Sequence, residues 1–348
     1  MKEFEIGKNE EGRRLDKFVL RILSSAPAGF CYKMLRKKNI TLNGKKCEGR
    51  EILRSGDHVE FFLSDKTFEK FSKGSDEIKA FYASHKPLTD LPGNYTPEII
   101  YEDENVLIVN KTGNMLTQKA KPSDVSLNEY CLSYLFDKGF IDDSSIKLFK
   151  PSVLNRLDRN TSGLVLFAKS YPAARILSAA LKDRTMDKYY RCIVKGRIDS
   201  KEHVCGRLVK DRENSTVRIY PVDDPMGNGA GYIKTYYEPI VSRDDMTLLS
   251  VKLITGKSHQ IRAHLSYLGH PILGDPKYGD AMLNKSLKSE FNVTSQLLHA
   301  YRIVFPVLKA PLDGLSGKDF TAKMPDEFMR VMGMDKAPCK EICYSAGT

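Results

Sequence analysis

The sequence predicts an α+β protein whose main part is a largely antiparallel mixed sheet, preceded by a small α+β domain. Strand patterns occur in runs and do not alternate regularly with helices, which favours antiparallel pairing. A polar stretch with Gly and Pro concentrated at its end separates the two parts and is predicted to be a linker. The alternative is an irregular arm packed on one of the two domains. A chain of 348 residues also suggests about two domains. The predicted units are a domain at 1–64, the linker at 65–97, a body at 98–335 and a tail at 336–348.

The N-terminal domain is predicted to consist of two helices and a hairpin. Apolar side chains recur at helical spacing in residues 13–25, and residues 31–40 form a second short helix. Asn43-Gly44 is a strong hairpin signal, so we expect a strand on either side of it. Residues 56–63 close the domain as another strand.

Positive charge is concentrated in the same domain. From Lys33 to Arg54, lysines and arginines outnumber the acids Glu48 and Glu51, and the whole chain has a formal net charge of +11. Such a surface is either a solvated face or a contact for a polyanion, and a basic helix followed by a basic hairpin favours RNA. The predicted RNA contacts of this domain are Lys33, Arg36, Lys37, Lys38, Lys45 and Lys46.

The composition argues against a membrane protein and against a zinc knuckle. No apolar run approaches the roughly 20 residues that a bilayer requires, and the first residues lack the apolar core of a signal peptide. We therefore expect a cytoplasmic protein with no membrane partner. The seven cysteines form no CxxC pair, so free thiols are expected.

The body is predicted to combine short strands with a few helices. Apolar runs bounded by turn residues predict strands at 105–111 and 163–169, and alternating patterns predict two more at 188–196 and 248–256. Apolar residues at helical spacing indicate the helices. The predicted helices of the body cover residues 172–183, 258–269 and, near the end, 325–333.

The most informative stretch is "NRLDRNTSGLVLFAK", residues 155–169, in which Asp158 lies between Arg156 and Arg159. The carboxylate could simply cap a turn or pair with a neighbouring arginine. A turn of small residues at 160–163 leaves room beside the acid, and a cation close by would keep the carboxylate ionised. An ionised carboxylate can act as a nucleophile or as a base, so Asp158 is a candidate catalytic residue.

Residues 254–279 combine histidines and cations with two glycine-bounded turns. His259 and His264 are five residues apart, which is not the spacing of a helical zinc pair, so we interpret them as hydrogen-bonding groups of the core or of turns. Arg262, one helical turn from His259, could reach an acid on another element.

Tyr190 is a candidate of a different kind. Strand alternation places Tyr190, Cys192 and Val194 on one face, which is typical of core residues. A tyrosine beside a nucleic-acid site is also a platform on which a base can stack.

Taken together, these stretches resemble the RluA family of RNA pseudouridine synthases. Residues 155–169, 188–196 and 254–279 occur in the family's order, with 101–111 before them and 297–305 after them. The resemblance covers about residues 98–310. It implies the pseudouridine synthase fold for the body. Residues 12–64 look like the small alpha-L RNA-binding motif that is often fused to these enzymes.

The resemblance also implies roles for individual residues. Asp158 matches the catalytic aspartate, and Arg262 matches its basic partner. Arg156 matches the arginine that enters the RNA stack as the target base leaves, and Tyr190 matches the residue that stacks on the flipped uracil. The family uses no metal and no organic cofactor.

The implied function is isomerisation of uridine to pseudouridine in structured RNA, most readily ribosomal RNA of the large subunit. The enzyme would flip the uridine out of its stack, break the bond from ribose to the base nitrogen, rotate the uracil and rejoin it through carbon. We expect it to act as a monomer on RNA. Two alternatives stay open: the same chemistry on transfer RNA, and a non-catalytic RNA-binding or ribosome-assembly protein.

Three positions differ from the family pattern. Asn155 stands where the family usually has histidine, Thr112 where it usually has proline, and Lys257 where it usually has arginine. None of these changes replaces a residue to which the resemblance assigns chemistry.

Overall fold

The computed structural model of the chain describes residues 1–72, 96–121, 123–142, 145–211, 213–225 and 230–334. Most of the predicted linker and all of the predicted tail lie outside these residues. The described part forms two sheets, one of four strands and one of eleven, with helices packed against them. The predicted α+β class is therefore confirmed.

The small sheet lies in the N-terminal part of the chain, and its strands follow the order β1-β4-β2-β3 with antiparallel pairing throughout. Asn43 and Gly44 both have positive φ, 52° and 69°, as a tight hairpin turn requires, so the predicted hairpin is confirmed. The helices α1 and α2 cover this sheet with apolar side chains that include Phe18 and Leu35. The elements are β1 Lys2–Glu5, α1 Leu15–Ile22, α2 Ala28–Arg36, β2 Ile40–Leu42, β3 Lys45–Lys46 and β4 His58–Phe61.

The segment predicted as a linker begins instead with a helix, α3 Asp65–Phe71. The Ser64 side chain caps its first turn, and the Phe68 ring stacks on Phe4 with 6.4 Å between ring centroids. Phe68 and Phe71 both pack against the N-terminal core. The linker prediction is wrong for residues 65–71, because two aromatic rings anchor a segment whose composition is otherwise polar.

The large sheet forms the body, and its strands follow the order β11-β10-β12-β13-β9-β14-β8-β6-β5, with β7 on β8 and β15 on β14. Among the described strands only β8 and β14 pair in parallel, so the predicted largely antiparallel character is confirmed. The strands are β5 Glu98–Glu102, β6 Val106–Lys111, β7 Ser152–Val153, β8 Ser162–Ala168, β9 Asp187–Lys195, β10 Glu202–Asp211, β11 Thr216–Tyr220, β12 Gly231–Arg243, β13 Met246–Leu253, β14 Leu298–Val304 and β15 Asp319–Thr321.

Helices cover both faces of the centre of this sheet. Leu107 and Val109 of β6 point into a core shared with α4 and α7, whereas Val106 and Ile108 point to the opposite face and pack with α6. Burial on both faces explains why this strand is apolar without alternation. The helices of the body are α4 Leu127–Asp137, α5 Ser145–Leu148, α6 Tyr171–Lys182, α7 Gln260–Tyr267, α8 Ala281–Phe291 and α9 Asp326–Met332.

The N-terminal part docks on the body through two arginines of its first helical region. Arg13 donates to the carbonyl of Leu148 at 2.6 Å, and its guanidinium lies over the Tyr171 ring at 4.5 Å. Arg21 donates to the carbonyl of Ile146 at 3.1 Å. Both carbonyls belong to the short helix α5, so cations meet its unpaired carbonyl groups and fix the basic domain against the body.

None of the helices in the described ranges is long and apolar enough to cross a membrane.

The strand order brings the Asp158 loop next to Tyr190. The loop at 154–161 connects β7 to β8, and β8 runs beside β14, which in turn pairs with β9. Gly163 makes this approach possible. It has φ 113°, and a Cβ atom there would lie 2.3 Å from the carbonyl oxygen of Ala300.

We expect Gly163→Ala to reduce the free energy of unfolding by at least about 3 kcal/mol, since strain in a glycine-only conformation alone reaches this value and the new methyl group would also overlap the β14 backbone. Gly314→Ala is the matched control, because nothing lies within 4 Å of the added carbon. Urea unfolding of the two variants measures both effects. Equal stability of the two variants would show that β8 and β14 can separate at this point without cost.

Candidate active site

Asp158 lines a cleft in the body and is held there by Arg262. The Arg262 Nη1 donates to Asp158 Oδ2 at 2.7 Å. The Nε and Nη2 atoms of the same guanidinium bind both oxygens of Asp275, at 2.7 and 2.8 Å. The Asp275 side chain is fully buried, whereas that of Asp158 is 28% exposed. One cation therefore joins a buried structural acid to an acid that faces the cleft.

The charges of this group stabilise one another. Burial alone would lower the pKa of Arg262, but its bonds to Asp275 and Asp158 outweigh burial and raise it above the ordinary value. Burial alone would raise the pKa of Asp275, yet the guanidinium and two backbone N–H groups lower it. Arg262 thus stays charged and Asp275 stays ionised across the neutral range.

The two oxygens of Asp158 have different surroundings. Oδ2 accepts from Arg262 and lies 3.8 Å from the Nε2 atom of His259. Within the part of the chain that the structure describes, Oδ1 accepts no hydrogen bond. An ionised oxygen anchored on one side and unoccupied on the other can attack an electrophilic carbon or remove a proton.

The arrangement corrects one expectation from the sequence. We expected the flanking arginines to pair with Asp158, but its ion-pair partner is Arg262, and the ring of His259 lies at longer range, 3.8 Å away. Arg156 is exposed and lines the cleft, and Arg159 is also exposed. Arg262 takes the place of both because the helix α7 carries it into the core beneath the loop.

The cleft has a volume of about 700 Å³, within the roughly 300–1,000 Å³ of small-molecule sites. Of the described residues that line it, Asp158 is the one carboxylate. The lining cations are Lys119, Arg156, Lys182, Arg184, Lys188, Lys257 and Arg262. A site with this balance of charge suits an anionic substrate such as a nucleotide within a phosphate backbone.

Tyr190 lies in β9 between Val251 of β13 and Ala300 of β14, and it lines the cleft with only 8% of its surface exposed. Burial raises the pKa of its hydroxyl, with a further contribution from Asp158, so the phenol is protonated at neutral pH. The structure therefore brings Tyr190 and Arg262 to Asp158. Their individual roles stay predictions.

Lys111 is a contributor that the sequence analysis missed. Its buried ammonium donates to the carbonyls of Thr112, Met115 and Arg159, each at 2.9 Å. Burial lowers the pKa of Lys111 to about 7, with Asp158 acting in the opposite sense. Three carbonyl acceptors use all three N–H groups of the ammonium and favour the charged form. Lys111 thus ties the end of β6 to the loop that carries Asp158.

Asn155, one of the departures from the family pattern, is part of the backbone scaffold. Its amide donates to the carbonyl of Leu164 at 3.2 Å and accepts from the Leu166 N–H at 2.8 Å. The side chain therefore connects the start of the Asp158 loop to β8.

His259 and His264 make hydrogen bonds, as predicted. His264 is buried against the Thr235 hydroxyl at 3.1 Å, and His259 Nδ1 lies 2.8 Å from the Tyr278 hydroxyl. Burial lowers the pKa of His264 to about 4, so its ring is neutral. Among the described residues, no group of three or more His, Cys, Asp or Glu side chains has the arrangement of a metal site.

The six predicted RNA contacts of the N-terminal domain lie away from the cleft lining, and all six are exposed. Lys33 and Arg36 are three residues apart and so lie on one face of α2, and Lys37 is the C-cap residue that follows this helix. In the described part of the chain, none of the six forms an ion pair. Their charges are thus available to a polyanion, and RNA contact by them stays a prediction.

The chain is similar to several known proteins. A family model described as RNA pseudouridylate synthase matches residues 105–267. An uncharacterised RNA pseudouridine synthase of Mycoplasma capricolum is 31% identical over 334 residues, which are 95% of this chain and all of that protein. The ribosomal large subunit pseudouridine synthase C of Rickettsia conorii is 32% identical, over 91% of this chain and 95% of that protein.

A solved structure supports the fold alone. The human RNA pseudouridylate synthase domain containing 4 superposes with a TM-score of 0.53 at 18% identity, over 76% of this chain and 99% of that chain.

The shared use of Arg262 by two acids gives a testable prediction. Arg262→Met should reduce the free energy of unfolding by about 3–5 kcal/mol, because it leaves Asp275 buried without a partner. The double variant Arg262→Met, Asp275→Asn should recover most of that stability. Uridine isomerisation, the activity that the resemblance implies, should be lost in both. Urea unfolding and tritium release from RNA labelled at carbon five of uracil measure the two properties.

Arg302→Met is the control, since its pair with Asp319 is partly exposed and should contribute less than about 1 kcal/mol. Recovery of isomerisation to within about tenfold of the parent in the double variant would mean that Arg262 serves only the fold; a factor of ten is about 1.4 kcal/mol of barrier.

Proposed function

The chain belongs to the family of RNA pseudouridine synthases, which isomerise uridine to pseudouridine, and we propose that its substrate is large-subunit ribosomal RNA. One observation carries the proposal: the similarity to a ribosomal large subunit pseudouridine synthase C spans 319 residues, 91% of this chain. The matched length exceeds the combined length of the body, the predicted linker and the tail. The similarity therefore includes part of the N-terminal domain, which carries the exposed basic residues. A substrate with extensive structured RNA suits a protein with two basic surfaces, one on that domain and one around the cleft.

The geometry supports a sequence of steps for the reaction. The target uridine leaves its stack and enters the cleft, and Arg156, an exposed residue of the cleft lining, fills the gap in the RNA. Tyr190, a mostly buried residue of the cleft lining, packs on the uracil ring. Asp158 then acts through its unoccupied Oδ1 while Arg262 keeps the carboxylate oriented. The bond from C1′ to N1 breaks and leaves its electron pair on N1, the uracil rotates, and a bond from C1′ to C5 forms. C5 then loses its proton and N1 gains one, so the product is an isomer of the substrate.

Base-resolution mapping of pseudouridine in total RNA, with and without this gene, tests the proposal. We expect at least one site in large-subunit ribosomal RNA to disappear and to return when the parent gene is restored. Asp158→Asn should not restore it, since an amide is neither a nucleophile nor a base at neutral pH. If pseudouridine sites disappear from transfer RNA and none disappears from ribosomal RNA, the substrate is transfer RNA and the proposal is wrong.

The basic domain gives a separate prediction. Lys33→Gln with Lys37→Gln should weaken RNA binding and reduce the slope of log affinity against log salt by about 1–2, as expected when two phosphate contacts are lost. The isomerisation rate with saturating RNA should not change, because both residues lie outside the cleft lining. The matched control is Lys285→Gln with Lys288→Gln, which removes two exposed charges from α8. An identical salt slope in the two double variants would contradict RNA contact by α2.

A further inference from the structure

His259 occupies an unusual backbone position at the edge of the active site. It precedes α7 and has φ 54° and ψ 13°, in the left-handed region that residues with a Cβ atom rarely adopt. Its side chain is 19% exposed and lines the cleft. A residue held in a sparsely populated conformation beside a reactive group invites a functional explanation.

The Tyr278 hydroxyl determines which ring nitrogen of His259 carries the proton. The backbone N–H of Val217 donates to the Tyr278 oxygen at 2.9 Å, and the same oxygen lies 2.8 Å from His259 Nδ1. If the imidazole also donated to this oxygen, the hydroxyl proton would have no acceptor among the described residues. All the hydrogen-bonding groups at this contact have a partner only when the Tyr278 hydroxyl accepts from Val217 and donates to His259 Nδ1.

The proton of the neutral ring is therefore on Nε2, which faces Asp158. Burial lowers the pKa of His259, although Asp158 opposes this effect, so the ring is neutral at physiological pH. Nε2 lies 3.8 Å from Asp158 Oδ2, which is too long for a hydrogen bond, and that oxygen already accepts from Arg262 at 2.7 Å. Within the described residues, this N–H donor has no acceptor, and it borders the cleft.

We propose that His259 donates a hydrogen bond from Nε2 to a hydroxyl or carbonyl oxygen of the uridine in the cleft, beside Asp158, and that Tyr278 is the positioning residue that maintains this tautomer. His259 is thus a further substrate-contacting residue, with a role distinct from that of Arg262. Arg262 anchors the carboxylate from behind, whereas His259 presents a donor to the space that the nucleotide enters.

The same acid supports both residues. Asp275 Oδ1 accepts from the Tyr278 backbone N–H at 3.1 Å as well as from Arg262 Nη2 at 2.8 Å. The position of Tyr278, and through it the orientation of the His259 ring, therefore depends on the carboxylate that also holds Arg262. Val217 belongs to β11, so the hairpin of β10 and β11 is connected to the active site through the same hydroxyl.

Two substitutions of His259 distinguish a substrate contact from a purely structural role. Glutamine can place an amide N–H near the position of Nε2, whereas the shorter asparagine side chain cannot. Asparagine, however, tolerates the left-handed conformation better than glutamine. A substrate contact predicts that His259→Gln stays within about threefold of the parent rate and that His259→Asn loses about tenfold or more, the effect of one hydrogen bond. A structural role predicts the opposite order.

The assay is single-turnover tritium release, with uridine-labelled total RNA from cells that lack the gene. It does not depend on which RNA is the natural substrate, so its outcome is separate from that of the ribosomal RNA proposal. A higher rate for His259→Gln than for His259→Asn supports the proposal. Equal rates, or a higher rate for His259→Asn, overturn it.

The tautomer is tested independently by long-range proton–nitrogen NMR correlations of the full-length protein labelled at histidine. We expect His259 of the parent to carry its proton on Nε2. Tyr278→Phe should lose this preference and slow isomerisation. The control is Tyr232→Phe, which removes an exposed hydroxyl that donates a hydrogen bond to Cys205 Sγ; it should change neither the tautomer nor the rate. A proton on Nδ1 in the parent would overturn the proposal.

Discussion

The structure of the active site depends on a single guanidinium that is shared by two carboxylates. Arg262 is almost fully buried, and a lone buried cation would be costly, so Asp275 and Asp158 together make its burial tolerable. Asp275 binds the Nε and Nη2 atoms of the guanidinium and thereby fixes the orientation of this planar group. The remaining nitrogen, Nη1, therefore points in one direction, toward Asp158. The position of Asp158, the candidate catalytic carboxylate, is therefore set by the ion pair between two buried groups, Arg262 and Asp275.

The backbone contributes as much to the site as the charged side chains. Three contacts hold the loop that carries Asp158. At its start, the amide of Asn155 binds the backbone of β8, and the ammonium of Lys111 binds the Arg159 carbonyl within the loop. After its end, Gly163 packs closely against β14. Each of these contacts is made to a main-chain group. The loop is therefore positioned without contacts from the loop side chains that line the cleft. A carboxylate can then stay partly exposed and still have a defined orientation.

The sequence was a good guide to the local elements and a poor guide to their partners. The strands of the body and the motif around Asp158 are marked by patterns within ten or fifteen residues, and these patterns were sufficient. Lys111 was missed because its importance lies in a contact with a residue distant along the chain; Lys111 and Arg159 are 48 residues apart. Asp275 is only 13 residues from Arg262, but the sequence did not show that the turn between them folds the acid back onto the guanidinium. The helix after residue 64 was missed for the same reason, since its two phenylalanines are informative only when the surface that receives them is known. A capping serine followed by aromatic residues at helical spacing was the available signal.

The docking of the N-terminal domain through Arg13 and Arg21 has a consequence for how targets are chosen. Two RNA-contacting surfaces on a flexible tether would accept many separations between a bound element and a reactive uridine. A domain fixed against α5 and Tyr171 instead holds its exposed basic residues at one distance and one orientation from the cleft. An RNA gripped by that domain would present to the cleft only those uridines that lie at one distance and one angle from the gripped element. Selectivity would then come from the shape of the RNA and would need little reading of its bases.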